Sequence, residues 1–175
     1  MQTTHYKGRY LSLVERSGWE FAARPNPLVA VLVAWLSDQR LLLVEQYREP
    51  VQQRVIELPA GLVGDRDEHR RESVTAAAHR ELVEETGYAA ERLHEVMRCP
   101  TSAGMTNETA VFLAASGLRR VGDGGGDDSE DITVHAVART RLCGWLRERY
   151  ADGAAIDPKV YTALAWGPDP APFPS

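Results

Sequence analysis

An uninterrupted apolar run, Leu28–Leu36, restricts the possible folds of this chain more than any other segment. A strand with one face in water alternates apolar and polar residues, whereas a strand buried on both faces reads as a continuous apolar run. The run is far too short to cross a membrane as a helix. It therefore predicts a strand that is covered by other layers on both sides.

The remaining segments supply those layers. Strands are predicted at Arg40–Tyr47, Arg54–Leu58, Leu93–Arg98, Thr109–Ala115 and Ile132–Ala138, and helices at about Ser73–Thr86, Leu142–Tyr150 and Pro158–Trp166. Ser73 can cap the first helix, and Gly87 follows it where a left-handed residue is typical. Strands dominate, with one long helix in the middle and two at the end, which predicts an α/β sandwich built on a mixed sheet.

The length of 175 residues favours one domain, 1–175. Within the N-terminal extension 1–24, the segment Tyr6–Arg24 alternates loosely around Ser17-Gly18 and predicts a small hairpin, an antiparallel strand pair. The Gly- and Asp-rich segment Val121–Asp131 predicts a mobile loop. The proline-rich tail 167–175 is expected to be loosely ordered.

Composition narrows the class of function. The net charge of −5 argues against a nonspecific nucleic-acid binder, which needs a basic face. The N-terminal residues show no secretory signal, and no segment is long enough for a membrane span. Cys99 and Cys143 lack metal-type spacing, so a reduced, cytoplasmic protein is the simpler reading.

Acidic residues crowd one stretch of the central helix. Glu81 and Glu85 are four residues apart and share a face, and Glu84 lies about 60° to the side. Like charges at this spacing destabilise a helix, and hard cations such as Mg²⁺ or Mn²⁺ relieve the repulsion. Two alternatives stay open at this point: a solvated acidic face, or a carboxylate held by Arg80 instead of a metal ion.

The spacing of these residues resembles a known signature. Glu72 is followed after seven residues by Arg80-Glu-Leu-Val-Glu-Glu-Thr-Gly-Tyr88, which is similar to the box of the Nudix hydrolases. Ten residues, instead of five, separate the box glycine, Gly61, from Glu72, which indicates a longer loop. The flanking segments Glu57–Gly61, Ser129–His135 and Asp157–Leu164 resemble the ADP-ribose pyrophosphatase branch, although Ala103 stands where that branch typically has proline.

The resemblance implies a Nudix-type α/β/α sandwich and a function. It implies Mg²⁺-dependent hydrolysis, with Mn²⁺ as a possible substitute, of ADP-ribose or a related nucleoside diphosphate sugar to a nucleoside monophosphate and a sugar phosphate. It also implies a homodimer to which the N-terminal strands contribute. Two alternatives remain: hydrolysis of a dinucleotide or dinucleoside polyphosphate, and a Nudix-fold module that senses a nucleotide without cleaving it.

The resemblance also implies residue roles. The implied metal ligands are the carbonyl of Ala60 and the carboxylates of Glu81, Glu84, Glu85 and Glu130. Arg80 is expected to orient a glutamate, and Glu72 to organise the start of the helix. The acidic loop is expected to swing toward the metal ions and deliver the base that deprotonates water, with Glu130 the first candidate and Asp128 the second. The candidate substrate-binding residues are Arg48, Arg54, Glu108, Met105 and Trp19; for Arg48 a surface salt bridge is an equal alternative.

Overall fold

The structure, a computed structural model of the chain, describes residues 1–64, 71–126 and 130–172. The strands are β1 Gln2–Lys7, β2 Ser12–Arg16, β3 Trp19–Ala23, β4 Leu28–Ala34, β5 Arg40–Arg48, β6 Gln53–Glu57, β7 Ala60–Leu62, β8 Tyr88–Ala89, β9 Arg92–Pro100, β10 Thr109–Ser116, β11 Arg119–Arg120, β12 Thr133–Ala138 and β13 Ala155–Ile156. The helices are α1 Val74–Thr86, α2 Leu142–Ala151 and α3 Lys159–Trp166. Within these described ranges, no helix has the length and apolar character needed to span a membrane.

The apolar run forms β4, which lies inside a four-stranded sheet of order β7-β4-β10-β9. β4 is parallel to β10 and antiparallel to β7. Its side chains alternate between two core clusters: Val31 and Val33 join one, and Ala30 and Leu32 join the other. Both faces of the strand are therefore buried, as the sequence predicts.

Helices cover the sheets from two sides. β5 and β6 belong to a second four-stranded sheet of order β12-β5-β6-β13, in which only the β6–β13 pair is parallel. Leu82 of α1 packs in the cluster that contains Leu32. Leu142 of α2 and Val160 of α3 pack in the cluster that contains Val31. The predicted α/β/α sandwich with mixed sheets is confirmed.

Helix α1 begins and ends where the sequence predicts. The Ser73 hydroxyl accepts a hydrogen bond from the Ala76 N–H at 3.1 Å, which satisfies one open donor of the first turn. Gly87 follows the helix with φ 73°, and its N–H donates to the Val83 carbonyl at 2.9 Å. These two caps fix the length of the helix that carries the glutamates.

The described part of the glycine-rich segment caps the C-terminus of α1. Residues 121–126 form neither helix nor strand, but their backbone is bonded to the helix end. The Gly125 N–H donates to the Glu85 carbonyl at 2.8 Å, and the Gly126 N–H donates to the Glu84 carbonyl at 3.0 Å. The last carbonyls of a helix have no hydrogen-bond donor within the helix, and here the N–H groups of these two glycines are the donors. The segment that sequence alone assigns to a mobile loop is in this part a helix cap.

The N-terminal residues form a three-stranded antiparallel sheet of order β1-β2-β3, so the predicted strand pair is one strand too small. β2 and β3 meet at the predicted turn, where Ser17 and Gly18 have φ 54° and 80°. Sequence patterning misses β1 because its residues are exposed throughout and show no apolar alternation. The Ala22 N–H joins this sheet to the main body by donating to the Met105 carbonyl at 2.9 Å.

The described part of the C-terminal tail, residues 167–172, packs against the sheet. Pro170 is buried, and its carbonyl accepts a hydrogen bond from His94 Nε2 on β9 at 3.0 Å. The proline-rich sequence does not reveal this contact, because it joins residues far apart in the chain.

Replacing Gly87 by alanine is expected to destabilise the protein. The left-handed conformation costs an alanine about 1–2 kcal/mol. The new Cβ would also lie 2.4 Å from the Gly122 carbonyl oxygen. We expect a loss above about 2 kcal/mol in the free energy of unfolding, measured by urea denaturation.

Gly18→Ala is the matched control. Gly18 also has a positive φ, 80°, but a Cβ there would meet no atom within 4 Å. We therefore expect only the conformational cost of about 1 kcal/mol. Equal losses for the two variants would contradict the close approach of Gly87 to the glycine-rich segment.

Candidate active site

Arg80 lies at the centre of the acidic cluster on α1. Its Nη1 donates to Glu81 at 2.7 Å and to Glu84 at 3.2 Å, and its Nη2 donates to Glu72 at 2.9 Å. Burial alone lowers the pKa of this guanidinium, but the bonds and charges of Glu72 and Glu81 outweigh burial and raise the pKa. Arg80 is therefore a permanent cation that holds three carboxylates in fixed directions.

Glu72 connects the start of α1 to the strand before it. One carboxylate oxygen accepts from both the Gly64 N–H and Arg80 at 2.9 Å. The Arg80 guanidinium also points toward the Leu62 carbonyl at 3.5 Å. Glu72 thus sits at the N-terminal end of the helix, bound to a backbone amide and a guanidinium.

Glu85 is a buried carboxylate with negative neighbours. The residue is 2% exposed, and its Oε2 accepts a hydrogen bond from the Ala60 N–H at 2.9 Å. Burial raises the pKa of Glu85 well above its usual value; the Ala60 bond lowers the pKa, and the charges of Glu81 and Glu130 raise it further. The ionised form of Glu85 is therefore costly unless a cation lies beside it.

Gly61 allows β7 to lie directly against α1. A Cβ built at this position would be 1.9 Å from the carboxyl group of Glu81. Any side chain here would displace Glu81 or separate the strand from the helix. The motif Glu57–Gly61 therefore has a steric reason to end in glycine.

The acidic face of α1 opens into a cavity of about 370 Å³. The residues that line it come from β4, β5, β6, β7, α1, α3 and several connections: Arg24, Val29, Arg48, Glu57, Leu58, Ala60, Gly61, Leu62, Glu81, Glu84, Glu108, Glu130 and Lys159. Cations and carboxylates therefore face the same space. Such a lining suits a ligand that is itself anionic and is bound together with metal cations.

Each cation in the lining has a carboxylate partner. Arg48 Nη2 lies 2.7 Å from Glu57, and Arg24 Nε lies 3.8 Å from Glu108. Lys159 Nζ lies 2.6 Å from Asp157. Burial raises the pKa of Glu57, and the Arg48 charge opposes that rise. The cations are thus held in place on the cavity wall before any ligand arrives.

The structure brings most of the predicted site residues together. Glu81, Glu84, Glu130, Ala60, Arg48 and Glu108 line the cavity, and Glu85 and Arg80 lie beside it on α1. Three predicted substrate-binding residues lie outside the lining: Arg54 binds Glu45 and Asp131, and Met105 and Trp19 are exposed elsewhere. Asp128 falls outside the described residues.

Sequence reasoning missed three charged members of the lining: Arg24, Glu57 and Lys159. Glu57 directly follows the apolar pair Val55-Ile56 at the end of β6, and an acid next to buried apolar residues is a usable signal. Lys159 is one of the chain's two lysines and follows Asp157-Pro158, but its position depends on α3 folding against β6. Arg24 carries no signal, because its distance from Glu108 is set by tertiary contacts.

The donor set of the cavity fits a divalent cation. Its members are oxygen atoms, namely carboxylates and the Ala60 carbonyl, which Mg²⁺ prefers. Among residues 1–64, 71–126 and 130–172, no three acidic, imidazole or thiol side chains are already arranged to hold a metal ion. Arg80 donates hydrogen bonds to Glu81 and Glu84, and the Ala60 N–H donates one to Glu85.

Comparison with known proteins decides the family. A family model described as the NUDIX domain matches residues 26–150, which is most of the chain and contains the whole acidic cluster. The chain belongs to the Nudix family. The predicted signature and the fold around it agree with this assignment.

This Nudix chain is similar to several curated proteins. It is 32% identical over 125 residues to the methanol dehydrogenase activator of Bacillus methanolicus, covering 71% of this chain and 65% of the relative. It is 33% identical over 90 residues to the ADP-ribose pyrophosphatase of Bacillus subtilis, covering 51% and 46%. The Escherichia coli K12 ADP-ribose pyrophosphatase matches at 32% over 119 residues, covering 64% and 51%. The chain thus spans about half to two thirds of the length of these relatives.

A solved structure supports the same fold. The crystal structure of an ADP compounds hydrolase matches with a TM-score of 0.63 over 82% of this chain and 80% of that protein, at 20% identity. At this identity the likeness concerns the fold alone.

Glu85→Gln is expected to stabilise the metal-free protein. A carboxyl whose pKa is raised on folding binds more protons in the native state, so stability falls as pH rises from the unfolded-state pKa to the raised native pKa. The glutamine has no charge to bury. We expect a gain on the order of 1 kcal/mol at neutral pH, or about 3 °C in Tm, and a flatter pH dependence. Thermal denaturation in the presence of a chelator measures both.

Glu95→Gln is the control, because the pKa of Glu95 is shifted in the opposite direction to that of Glu85. Glu95 is exposed, and its bonds to Arg98 lower its pKa, so its charge favours the folded state. We expect no gain in Tm from this variant. A loss of stability in Glu85→Gln would contradict the unfavourable burial of the Glu85 charge.

Proposed function

We propose that the protein is a Mg²⁺-dependent pyrophosphohydrolase that cleaves the diphosphate of ADP-ribose or a related nucleoside diphosphate sugar. The products are a nucleoside monophosphate and a sugar phosphate. One observation carries the proposal: Glu81, Glu84 and Glu130 line the same cavity as Arg48 and Lys159. The similarity to the ADP-ribose pyrophosphatases of Bacillus subtilis and Escherichia coli supports it.

The cations and the carboxylates of the lining have different roles in binding a diphosphate. Arg48 presents a planar guanidinium that can donate two parallel hydrogen bonds to phosphate oxygens. Glu57, buried behind it, holds that guanidinium through two donors, Nε at 2.9 Å and Nη2 at 2.7 Å. Lys159 adds a second positive charge on the same wall. The carboxylates of Glu81, Glu84 and Glu130 in the same lining would repel the diphosphate without a cation beside them.

The proposed cation is Mg²⁺, with Mn²⁺ as a substitute. Nudix hydrolases generally depend on divalent metal ions. Glu81, Glu84, Glu85, Glu130 and the Ala60 carbonyl would hold the ion. When bound, such an ion neutralises charge on the diphosphate and makes water more acidic. Burial and the charges of Glu81 and Glu130 raise the pKa of Glu85. A cation beside Glu85 would stabilise its ionised form, which supports the choice of this site.

Glu130 is the proposed base for the attacking water. Its side chain lines the cavity, and its charge raises the pKa of Glu85, so the two carboxylates are neighbours. Arg80 orients Glu81 and Glu84 and does not itself take the proton, because its pKa is raised. Water attacks one phosphorus in line with the departing phosphate, and Glu130 accepts the water proton.

Other substrates are the main alternative. Dinucleotides and dinucleoside polyphosphates also contain phosphoanhydride bonds, and the same wall of cations would bind them. A nucleotide sensor without catalysis is the alternative from another class. The full set of Arg80, Glu81, Glu84 and Glu85 argues against a sensor, because binding alone does not require it.

A homodimer and a cytoplasmic location also belong to the proposal. The N-terminal sheet exposes large apolar side chains, among them Tyr6, Tyr10 and Trp19, whose burial against a second copy would be favourable. Leu13 on β2 and Leu11 in the connection before it are also exposed. These side chains support the predicted contribution of the N-terminal strands to a dimer.

The substrate assignment is tested by a screen of ADP-ribose, other nucleotide sugars and dinucleotides, with and without Mg²⁺ and with products separated. We expect Mg²⁺-dependent release of a nucleoside monophosphate, with the highest kcat/KM for ADP-ribose or a nucleotide sugar. Glu84→Gln is expected to lower kcat by at least about 100-fold, because a metal ligand loses its charge.

Glu91→Gln, a change of the same type at a residue outside the cavity lining, is the control for this variant. Nucleotide binding without product release would favour the sensor instead. Full activity of Glu84→Gln would contradict the metal assignment.

The choice of base is tested by two variants. Glu130→Gln is expected to lower kcat by roughly 100-fold or more, and Asp128→Asn by much less, because only one carboxylate takes the proton. Steady-state kinetics across pH measures both. The opposite order would move the base to Asp128.

A further inference from the structure

Arg54 binds the chain next to the proposed base. Its Nη1 donates to the Asp131 carboxylate at 2.9 Å, and its Nη2 lies 3.3 Å from the Asp131 carbonyl. Asp131 directly follows Glu130, which lines the cavity, whereas Arg54 does not. A single guanidinium thus contacts both the side chain and the backbone of the neighbouring residue.

The same arginine is fixed from its other side. Arg54 Nε donates to Glu45 on β5 at 3.0 Å, and its Nη2 lies 3.2 Å from the Glu45 carbonyl. The second oxygen of Glu45 is paired with His135 Nε2 on β12 at 2.9 Å. The side chains of Glu45 and His135 are mostly buried. Arg54 is therefore a rigid donor anchored on three adjacent strands.

This contact extends a strand pairing toward the cavity. β12 pairs with β5 from Thr133, which lies opposite Glu45. Asp131 lies two residues before Thr133, beyond the last backbone pair. Arg54 binds Asp131 at the point where the chain leaves the sheet, one residue from Glu130.

The other end of the loop is held by α1. The Gly125 and Gly126 N–H groups donate to the carbonyls of Glu85 and Glu84. A Cβ at Gly126 would lie 2.5 Å from a carboxylate oxygen of Glu130 and 3.0 Å from the buried Ile132 side chain. The two ends of the loop therefore meet beside Glu130, one fixed to the helix and the other to Arg54.

We propose that Arg54 is a positioning residue that holds Glu130 over the cavity through Asp131, and that it does not bind substrate. The inference rests on the proposed function in one respect, the role of Glu130 as base. The interaction is partly solvent-exposed, since the Asp131 side chain is 86% exposed, so its strength is modest and salt-dependent.

The first test is kinetic and uses Asp131→Ala. We expect kcat to fall roughly three- to fivefold, as suits a partly exposed ion pair, with KM changed by less than about twofold. The diphosphate-binding cations Arg48 and Lys159 are untouched, which is why KM is retained. Tm is expected to stay the same because Asp131 is exposed.

Salt and a second substitution show whether the effect passes through the tether and Glu130. The difference in kcat between the wild type and Asp131→Ala is expected to shrink as KCl rises from about 0.02 to about 0.5 M. In a Glu130→Gln background, Asp131→Ala is expected to cause no further loss of kcat. An equal loss in both backgrounds, or a rise in KM alone, would overturn the proposal.

Hydrogen exchange supplies a test that needs no activity. Arg54→Met is expected to speed amide exchange in the peptide around Glu130 and Asp131, because the tether is removed from a distant strand. Arg98→Met, which breaks a comparable exposed pair with Glu95, is the control and leaves this peptide unchanged. Unchanged exchange in Arg54→Met would refute the tether, whereas failure to hydrolyse any diphosphate substrate would refute only the proposed function.

Discussion

Repulsion among glutamates on one helix face is the constraint on which the rest of the site depends. One guanidinium, Arg80, binds Glu72, Glu81 and Glu84, so it compensates only part of their charge. Glu85 adds a buried carboxylate that accepts a hydrogen bond from the Ala60 N–H. The uncompensated negative charge favours a cation beside the cluster, and the proposed binding of an anionic diphosphate by an acidic chain depends on such a cation.

The fold maintains this unfavourable arrangement by packing the other face of the helix. Leu82 is fully buried against the sheet, and the Ala60 N–H holds Glu85 from β7. Gly61 permits the strand to approach within a distance that no side chain would allow. Apolar burial of the kind that Leu82 makes is worth about 1.5–3 kcal/mol per large side chain, enough to offset several partly screened repulsions. The favourable burial of the apolar face of α1 therefore offsets the repulsion among the glutamates on its other face.

For the segment Val121–Asp131, composition and tertiary structure lead to different conclusions about mobility. Glycines and aspartates indicate conformational freedom, and sequence alone assigns the segment to a mobile loop. In the fold, Gly125 and Gly126 satisfy helix carbonyls, and Asp131 is bound by Arg54. Glycine is required at Gly124 because a Cβ there would lie 2.5 Å from the Thr86 backbone and 2.7 Å from the Glu85 carbonyl oxygen, which flexibility alone would not explain.

Local patterns were sufficient for much of the architecture. Leu28–Leu36 predicts a strand buried on both faces because side chains alternate along a strand, and Ser73 and Gly87 predict the helix ends because caps are local. β1 was not predictable, because an exposed edge strand has no apolar pattern. The same limit applies to β7, a strand of three residues.

The sequence by itself determined the signature helix, its glutamates and the family, since these depend on spacing along one element. Only the tertiary structure decided which distant residues join them. It placed Arg48, Glu57 and Lys159 on the cavity wall and brought Arg54 into an ion pair with Asp131. The physical reason is that charge pairing across strands depends on register and packing, and neither is encoded in the local pattern around an arginine.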